Sequence, residues 1–147
     1  MYRVARSIVR DSALAEDVVQ ESLLKAWQAA GTFRGASLRA WALRITHNTA
    51  ISALRKRRED IREPGTLPEG LDGIGPERSV AGKMMADELW KALANLDETT
   101  RSIVVLREVE GLTYEEIGAA LDLPLPTVKT RLFRARRSLA TSLAAWQ

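Results

Sequence analysis

The chain has 147 residues, with no cysteine, a single histidine and 22 Lys and Arg against 19 Asp and Glu. That length suits one ordinary domain or two very small ones. Missing cysteines exclude a disulfide scaffold and a thiolate metal site, one histidine excludes a multi-histidine metal centre, and the net charge of +3 by itself points to no partner.

Taken in chain order, the sequence predicts helices throughout. The segment beginning at Met1 carries Arg3, Arg6, Arg10 and Asp11, which interrupt any apolar stretch a signal peptide would need. Ala15, Val19, Leu23, Trp27 and Ala30 recur at steps of four and three and predict a helix burying that face. After Gly31 and Gly35, Leu38, Trp41, Ala42 and Ile45 open another helix, which continues or kinks toward Ile51 and Leu54. Trp27 and Trp41 read as core residues by size and apolarity.

Between Glu59 and Gly82 lie five of the nine glycines and three of the five prolines, so this stretch reads as a flexible linker rather than a helix. It separates residues 1–58 from 83–147. In the second half, Met85, Leu89, Ala92 and Leu96 form a stripe, and Asp97 is placed to cap the helix carrying Ile103 to Val109. Gly111 ends that helix. Thr113 followed three residues later by Glu116 has capping-box spacing and opens a short helix through Ile117, Ala120 and Leu121. Asp122-Leu123-Pro124 breaks it, and a last helix begins near Pro126. The expected fold is all-α: two small helical domains, the C-terminal one a helix-turn-helix.

Charge is distributed far less evenly than the total suggests. Residues 34–58 carry seven basic side chains and no acidic one, and residues 123–147 carry five and none. Residues 59–82 are net −4 and residues 83–122 net −5, while 1–33 are neutral. Two purely basic blocks in acidic surroundings are what a polyanion-binding protein shows; two solvated helix faces are the plainer alternative. At about 100° per residue, Val128, Leu132, Ala135, Leu139 and Leu143 of the last helix form one apolar stripe. Lys129, Thr130, Phe133, Arg134 and Arg137 lie opposite, with Arg131 and Arg136 on the flanks. A DNA-reading helix needs this division between an anchoring stripe and a cationic outer face. Phe133 suits contact with a thymine methyl, or else packing against a neighbouring domain.

The run Leu112-Thr113-Tyr114-Glu115-Glu116-Ile117-Gly118 followed by Pro126 to Arg137 resembles the region 4 helix-turn-helix of bacterial sigma factors. Ala15-Glu16-Asp17-Val18-Val19-Gln20-Glu21-Ser22, Trp27, Phe33-Arg34-Gly35, Trp41, Asn48-Thr49-Ala50 and Leu54 to Arg58 resemble sigma region 2. Two such regions joined by a short connector are the layout of the extracytoplasmic-function (ECF) group. This resemblance implies that Asp17, Gln20 and Glu21 bind the clamp helices of the largest subunit of core RNA polymerase, while the flap of the second subunit receives region 4. It further implies −10 promoter contacts from Arg39, Arg44, His47, Asn48, Arg55, Lys56, Arg57 and Arg58, with Asn48 at an unstacked base, where an amide can donate and accept together. Lys129, Thr130, Arg131, Phe133, Arg134 and Arg137 would contact the −35 element. The acidic connector would mimic nucleic acid near the path of RNA, and an anti-sigma factor would hold the chain inactive. No metal, cofactor or catalytic group is implied.

Four positions depart from the family pattern. Met1 falls inside the first helix, Ser52 stands where Asp is usual, Leu43 where an aromatic often is, and Asp122 where the turn glycine is usual, although Asp tolerates the left-handed conformation. Asp17, Gln20 and Glu21 could equally form a solvated face. No Ser or Cys arrangement gathers around His47, for which a phosphate contact or a plain surface position is expected, and no Gly-rich phosphate loop is present. Two other classes share part of the pattern: a helix-turn-helix regulator binding duplex DNA without polymerase, and a helical protein holding an acidic partner. With no apolar run long enough to span a bilayer, a cytoplasmic protein is the expectation.

Overall fold

The computed structural model describes residues 1–35, 37–60 and 80–144, and these residues form helices and turns without a strand. Of the acidic connector expected over 59–82, residues 61–79 lie outside the described residues. Glu59 and Asp60 continue the third α-helix and Val80 to Gly82 begin the fourth, so both ends of that stretch are helical instead. Helix α1 is Tyr2–Val9, α2 Ser12–Ala29, α3 Leu38–Asp60, α4 Val80–Ala94, α5 Glu98–Val104, α6 Tyr114–Leu121 and α7 Leu125–Leu143. A 3₁₀ turn at Ala30–Thr32 follows α2, and a π-helical turn at Val105–Val109 continues α5.

Local chemistry fixes most of these boundaries. Arg10 turns left-handed (φ 55°) to end α1, and the Asp11 side chain accepts the Leu14 N–H at 2.9 Å to start α2. Asp97 accepts the Thr100 N–H at 3.1 Å, as its position predicts. The capping box forms in full: Thr113 Oγ1 accepts from the Glu116 N–H at 3.1 Å, and Glu116 Oε1 from the Thr113 N–H at 3.0 Å. Asp122 adopts φ 55°, so it occupies the glycine-like turn conformation expected of it. Gly111, at φ 71°, ends the π turn.

The structure corrects three of the expected faces. In α2 the buried line is Ala15, Val18 and Ser22, whereas Leu23 is exposed and Trp27 is 81% exposed, not core. Steps of four drift about 40° on a helix of 3.6 residues per turn, so the stripe Val19, Leu23, Trp27 winds away from the core. Ser22 tolerates burial because its hydroxyl donates to the Val18 carbonyl at 2.6 Å. In α3, Leu38 is exposed, and the buried residues are Leu43, Thr46, Thr49 and Ala50. Leu43 thus belongs to the core rather than to a DNA-facing surface, and Trp41 is half-buried against Phe33, ring centroids 5.3 Å apart. In α4, Met85 and Leu89 are exposed while Ala92 and Leu93 are buried.

The two halves do not stand apart. Val4, Ala5, Ile8 and Val9 of α1 share one buried cluster with Ile103, Val104, Val105 and Leu106 of the second half. Helix α1 packs on α5 and its π turn, and α3 packs on α6. Polar contacts cross the same seam: Arg10 Nη2 donates to the Ala94 carbonyl at 3.2 Å, and Arg39 meets Glu110 at 2.7 Å.

Candidate nucleic-acid interface

Helices α6 and α7 meet through a turn that leaves no room for a side chain at Gly118. The Leu123 N–H donates to the Gly118 carbonyl at 2.9 Å. A Cβ on Gly118 would sit 2.9 Å from the Leu123 carbonyl oxygen, closer than real Cβ contacts come. This close approach sets how α7 leaves the turn. Val128, Leu132 and Ala135 are buried beneath α7, with Leu139 half-buried. The opposite side presents Lys129, Thr130, Phe133, Arg134 and Arg137, all exposed, so the expected division of the helix is realised. Phe133 is 61% exposed, with the Arg137 guanidinium 5.8 Å from its ring centre.

The flanking arginines are engaged. Arg131 Nη1 bonds to Asp97 at 3.0 Å and to the Thr100 hydroxyl at 3.2 Å. Burial pushes the Asp97 carboxyl up, yet the hydrogen bonds from Thr100 and the charge of Arg131 outweigh it and leave it below its ordinary range. Arg136 Nε donates to Glu108 at 2.8 Å, which raises the arginine further. Together, Asp97, Thr100, Thr127, Thr130, Arg131 and Arg134 line an open groove of about 600 Å³ between the start of α5 and α7.

The basic block of α3 is arranged differently. Arg44, Asn48 and Arg55 share one outward stripe and are exposed, with Lys56 beside them. The other residues expected at DNA are already engaged: Arg39 with Glu110 at 2.7 Å, Arg57 with Asp11 at 3.1 Å and Arg58 near Glu98 at 3.9 Å. His47 does not lie on open surface; it lines the seam with Arg55, Arg58, Glu98 and Leu121. Burial lowers its pKa, against smaller raising effects of a hydrogen bond with Asn48 and the charge of Glu98.

On α2, Asp17, Gln20 and Glu21 are exposed, Glu21 pairing with Lys25 at 3.1 Å. Leu23 and Leu24 are more than half exposed beside them, and Trp27 more still. Sequence reasoning missed this apolar patch, although the drift of its four-residue steps was a readable sign. Among the described residues no cluster of His, Asp or Glu could hold a metal, and no helix is long and apolar enough to cross a membrane.

Residues 1–59 match the family model for Sigma-70 region 2, and residues 86–139 match that for Sigma-70, region 4. The RNA polymerase sigma-H factor of Pseudomonas aeruginosa is 37% identical over 146 residues, covering 92% of this chain and 76% of the relative. The chain belongs to the ECF family of RNA polymerase sigma factors. The ECF sigma factor SigE of Mycolicibacterium smegmatis is 33% identical over 149 residues, which span 98% of this chain but 57% of that protein. Among solved structures, the sigma factor RpoE of Bartonella quintana, in complex with the anti-sigma factor NepR, superposes with a TM-score of 0.82 at 31% identity. That match covers 97% of this chain and 89% of the other. Membership therefore extends over both halves, in the order region 2 then region 4.

Proposed function

We propose that the chain binds core RNA polymerase and directs it to promoters, region 2 (1–58) engaging polymerase and the −10 element and region 4 (83–147) the −35 element. The observation that carries the reading is the orientation of α7. A buried Val128, Leu132 and Ala135 line anchors it, and Lys129, Thr130, Phe133, Arg134 and Arg137 face outward from a helix-turn-helix. Arg134, Arg137 and Lys129 have the reach for base edges and phosphates, while Arg131 sets orientation from the flank. On α3, the exposed stripe Arg44, Asn48 and Arg55 is the −10 surface, with Lys56 and Arg57 on phosphates. Arg39, His47 and Arg58 join it once the seam opens.

The polymerase-binding surface is the acidic and apolar side of α2. Asp17, Gln20 and Glu21 supply polar contacts to the clamp helices, and Leu23, Leu24 and Trp27 supply the apolar anchor, since an exposed patch rimmed by polar residues marks a binding face. The relative RpoE is captured by an anti-sigma factor; we infer a partner of the same kind here, competing for this face. Such a role places the chain in the cytoplasm and asks no catalysis of it.

In vitro transcription with core polymerase from the source organism tests this. Promoter-specific initiation is expected with the purified chain. Trp27→Ala should weaken core binding by about tenfold or more while leaving the melting midpoint unchanged. Duplex binding with full affinity in the absence of polymerase would favour a conventional helix-turn-helix regulator instead.

A further inference from the structure

The two arginines on the flanks of α7 are held by the protein itself. At about 100° per residue, Arg131 and Arg136 fall about 70° to either side of the middle of the buried line Val128, Leu132 and Ala135. Arg131 lines the groove between α5 and α7. Its Nη1 donates to Asp97 Oδ2 at 3.0 Å and to Thr100 Oγ1 at 3.2 Å. The same Asp97 oxygen accepts the Thr100 N–H at 3.1 Å, so the carboxylate that starts α5 also takes hold of α7. On the other flank, Arg136 donates to Glu108 Oε1 through both Nε, at 2.8 Å, and Nη2. Glu108 belongs to the π-helical turn that continues α5.

The buried line alone leaves one freedom open. Apolar burial is non-directional, so Val128, Leu132 and Ala135 hold α7 down but resist a small roll about its own axis only weakly. Such a roll turns every outward side chain relative to a base edge, and contacts to base edges depend on close alignment. Charge-assisted hydrogen bonds are directional. One pair on each flank opposes rotation in either sense. Both carboxylates stand at the ends of one element, Asp97 just before α5 and Glu108 in its π turn. A guanidinium committed to a carboxylate also brings no net charge to a phosphate.

We propose, resting on the reading of α7 as the −35 helix, that Arg131 and Arg136 with Asp97 and Glu108 are positioning residues that fix its roll. Arg131 is then a strut and not a −35 contact. Reading of the bases falls to Lys129, Thr130, Phe133, Arg134 and Arg137, and the two struts decide how sharply those side chains discriminate.

Holoenzyme binding to a −35 duplex, followed as a function of salt concentration, tests it. Asp97→Ser keeps an N-cap of equal rank but is too short to reach Arg131. It removes a negative charge beside a polyanion, so electrostatics alone would tighten binding. Binding weakened by about threefold at an unaltered salt slope is expected instead. Arg131→Ala should cost the same factor, again without a change of slope, and the double variant no more than either. Glu108→Ala should weaken binding likewise. Loss of a phosphate contact would lower the slope by about one. That lowering in Arg131→Ala, tighter binding by Asp97→Ser, or losses that multiply in the double variant overturns the proposal. Should Asp97→Ser unfold the second half, Arg131→Ala, which leaves the cap intact, decides by its slope. A second readout needs no DNA. Spin labels attached through Ala140→Cys and Asn95→Cys, in a chain without native cysteine, should give a broader distance distribution in Asp97→Ser and Glu108→Ala. An unchanged distribution overturns the struts, whereas an unaltered holoenzyme that ignores the −35 duplex counts only against the reading of α7.

Discussion

Helices α3 and α7 carry the two basic blocks, yet they hold their cations in opposite ways. On α7 the outward residues Lys129, Phe133, Arg134 and Arg137 are exposed, and among the described residues acidic partners take the flanking Arg131 and Arg136. On α3 the basic residues divide, Arg39 and Arg58 leaning on Glu110 and Glu98 of the other half while Arg44 and Arg55 stay in solvent. Two purely basic runs in sequence are thus unequal in readiness. The face of region 4 proposed to meet DNA is exposed as folded, whereas part of the face proposed for region 2 is covered by region 4.

The sharpest way to break that contrast is to disturb what positions α7. Gly118→Val puts side-chain atoms where the Leu123 carbonyl stands 2.9 Å away, and overpacking of this kind costs about 1–3 kcal/mol. Chemical denaturation of the second half should show the loss, and −35 duplex binding by holoenzyme should fall with it. Arg134→Ala comes next. It leaves α7 in place, so stability should hold while −35 affinity drops about tenfold or more, and core binding measured by fluorescence anisotropy should be unchanged.

A milder change acts on α3. Glu110→Gln removes the partner of Arg39 across the seam. The arginine side chain is largely solvated, so the loss of stability should be at most about 1 kcal/mol. The informative readout is the distance between α3 and α6, followed by paired fluorophores. A longer mean distance and faster capture of −10 DNA by holoenzyme are expected, and no change in either would show that the pair does not hold the seam.

How much of this was readable beforehand follows the range of each interaction. Caps and turns depend on neighbours within four residues, and Asp97, Thr113, Glu116 and Asp122 were all legible. The stripe of α7 was legible too, because Val128, Leu132 and Ala135 alternate with cations on a helix buried along one side only. On α2 the expected buried line ran through Val19, Leu23 and Trp27, because volume alone favours Trp27 over Ser22. What decided it was helical drift and the Ser22 hydroxyl bonding to its own backbone, which let a small polar residue take the buried place. The packing of α1 on α5 joins residues about 95 apart in the chain, and no local pattern of either segment announces it.

The smallest effect expected is a pH dependence, and it separates the two halves of the contrast again. His47 sits in the seam with Arg55, Arg58, Glu98, Thr99 and Leu121 around it, and burial disfavours its protonated form. Its folded pKa lies below the ordinary value of about 6.5, so the unfolded chain binds the proton first. Stability should accordingly be unaffected above that value and fall as pH drops from it toward the folded pKa. Asp11, Asp97 and Glu116 are held below their ordinary values by hydrogen bonds and nearby arginines. Their contribution is present above about pH 4 and is lost only on further acidification, as each is protonated in the folded state. Melts between about pH 7.5 and 5.5 therefore report on the seam alone. The midpoint should fall over that span in the native chain and stay level in His47→Gln, while Asp97→Asn should keep the fall because its window lies lower.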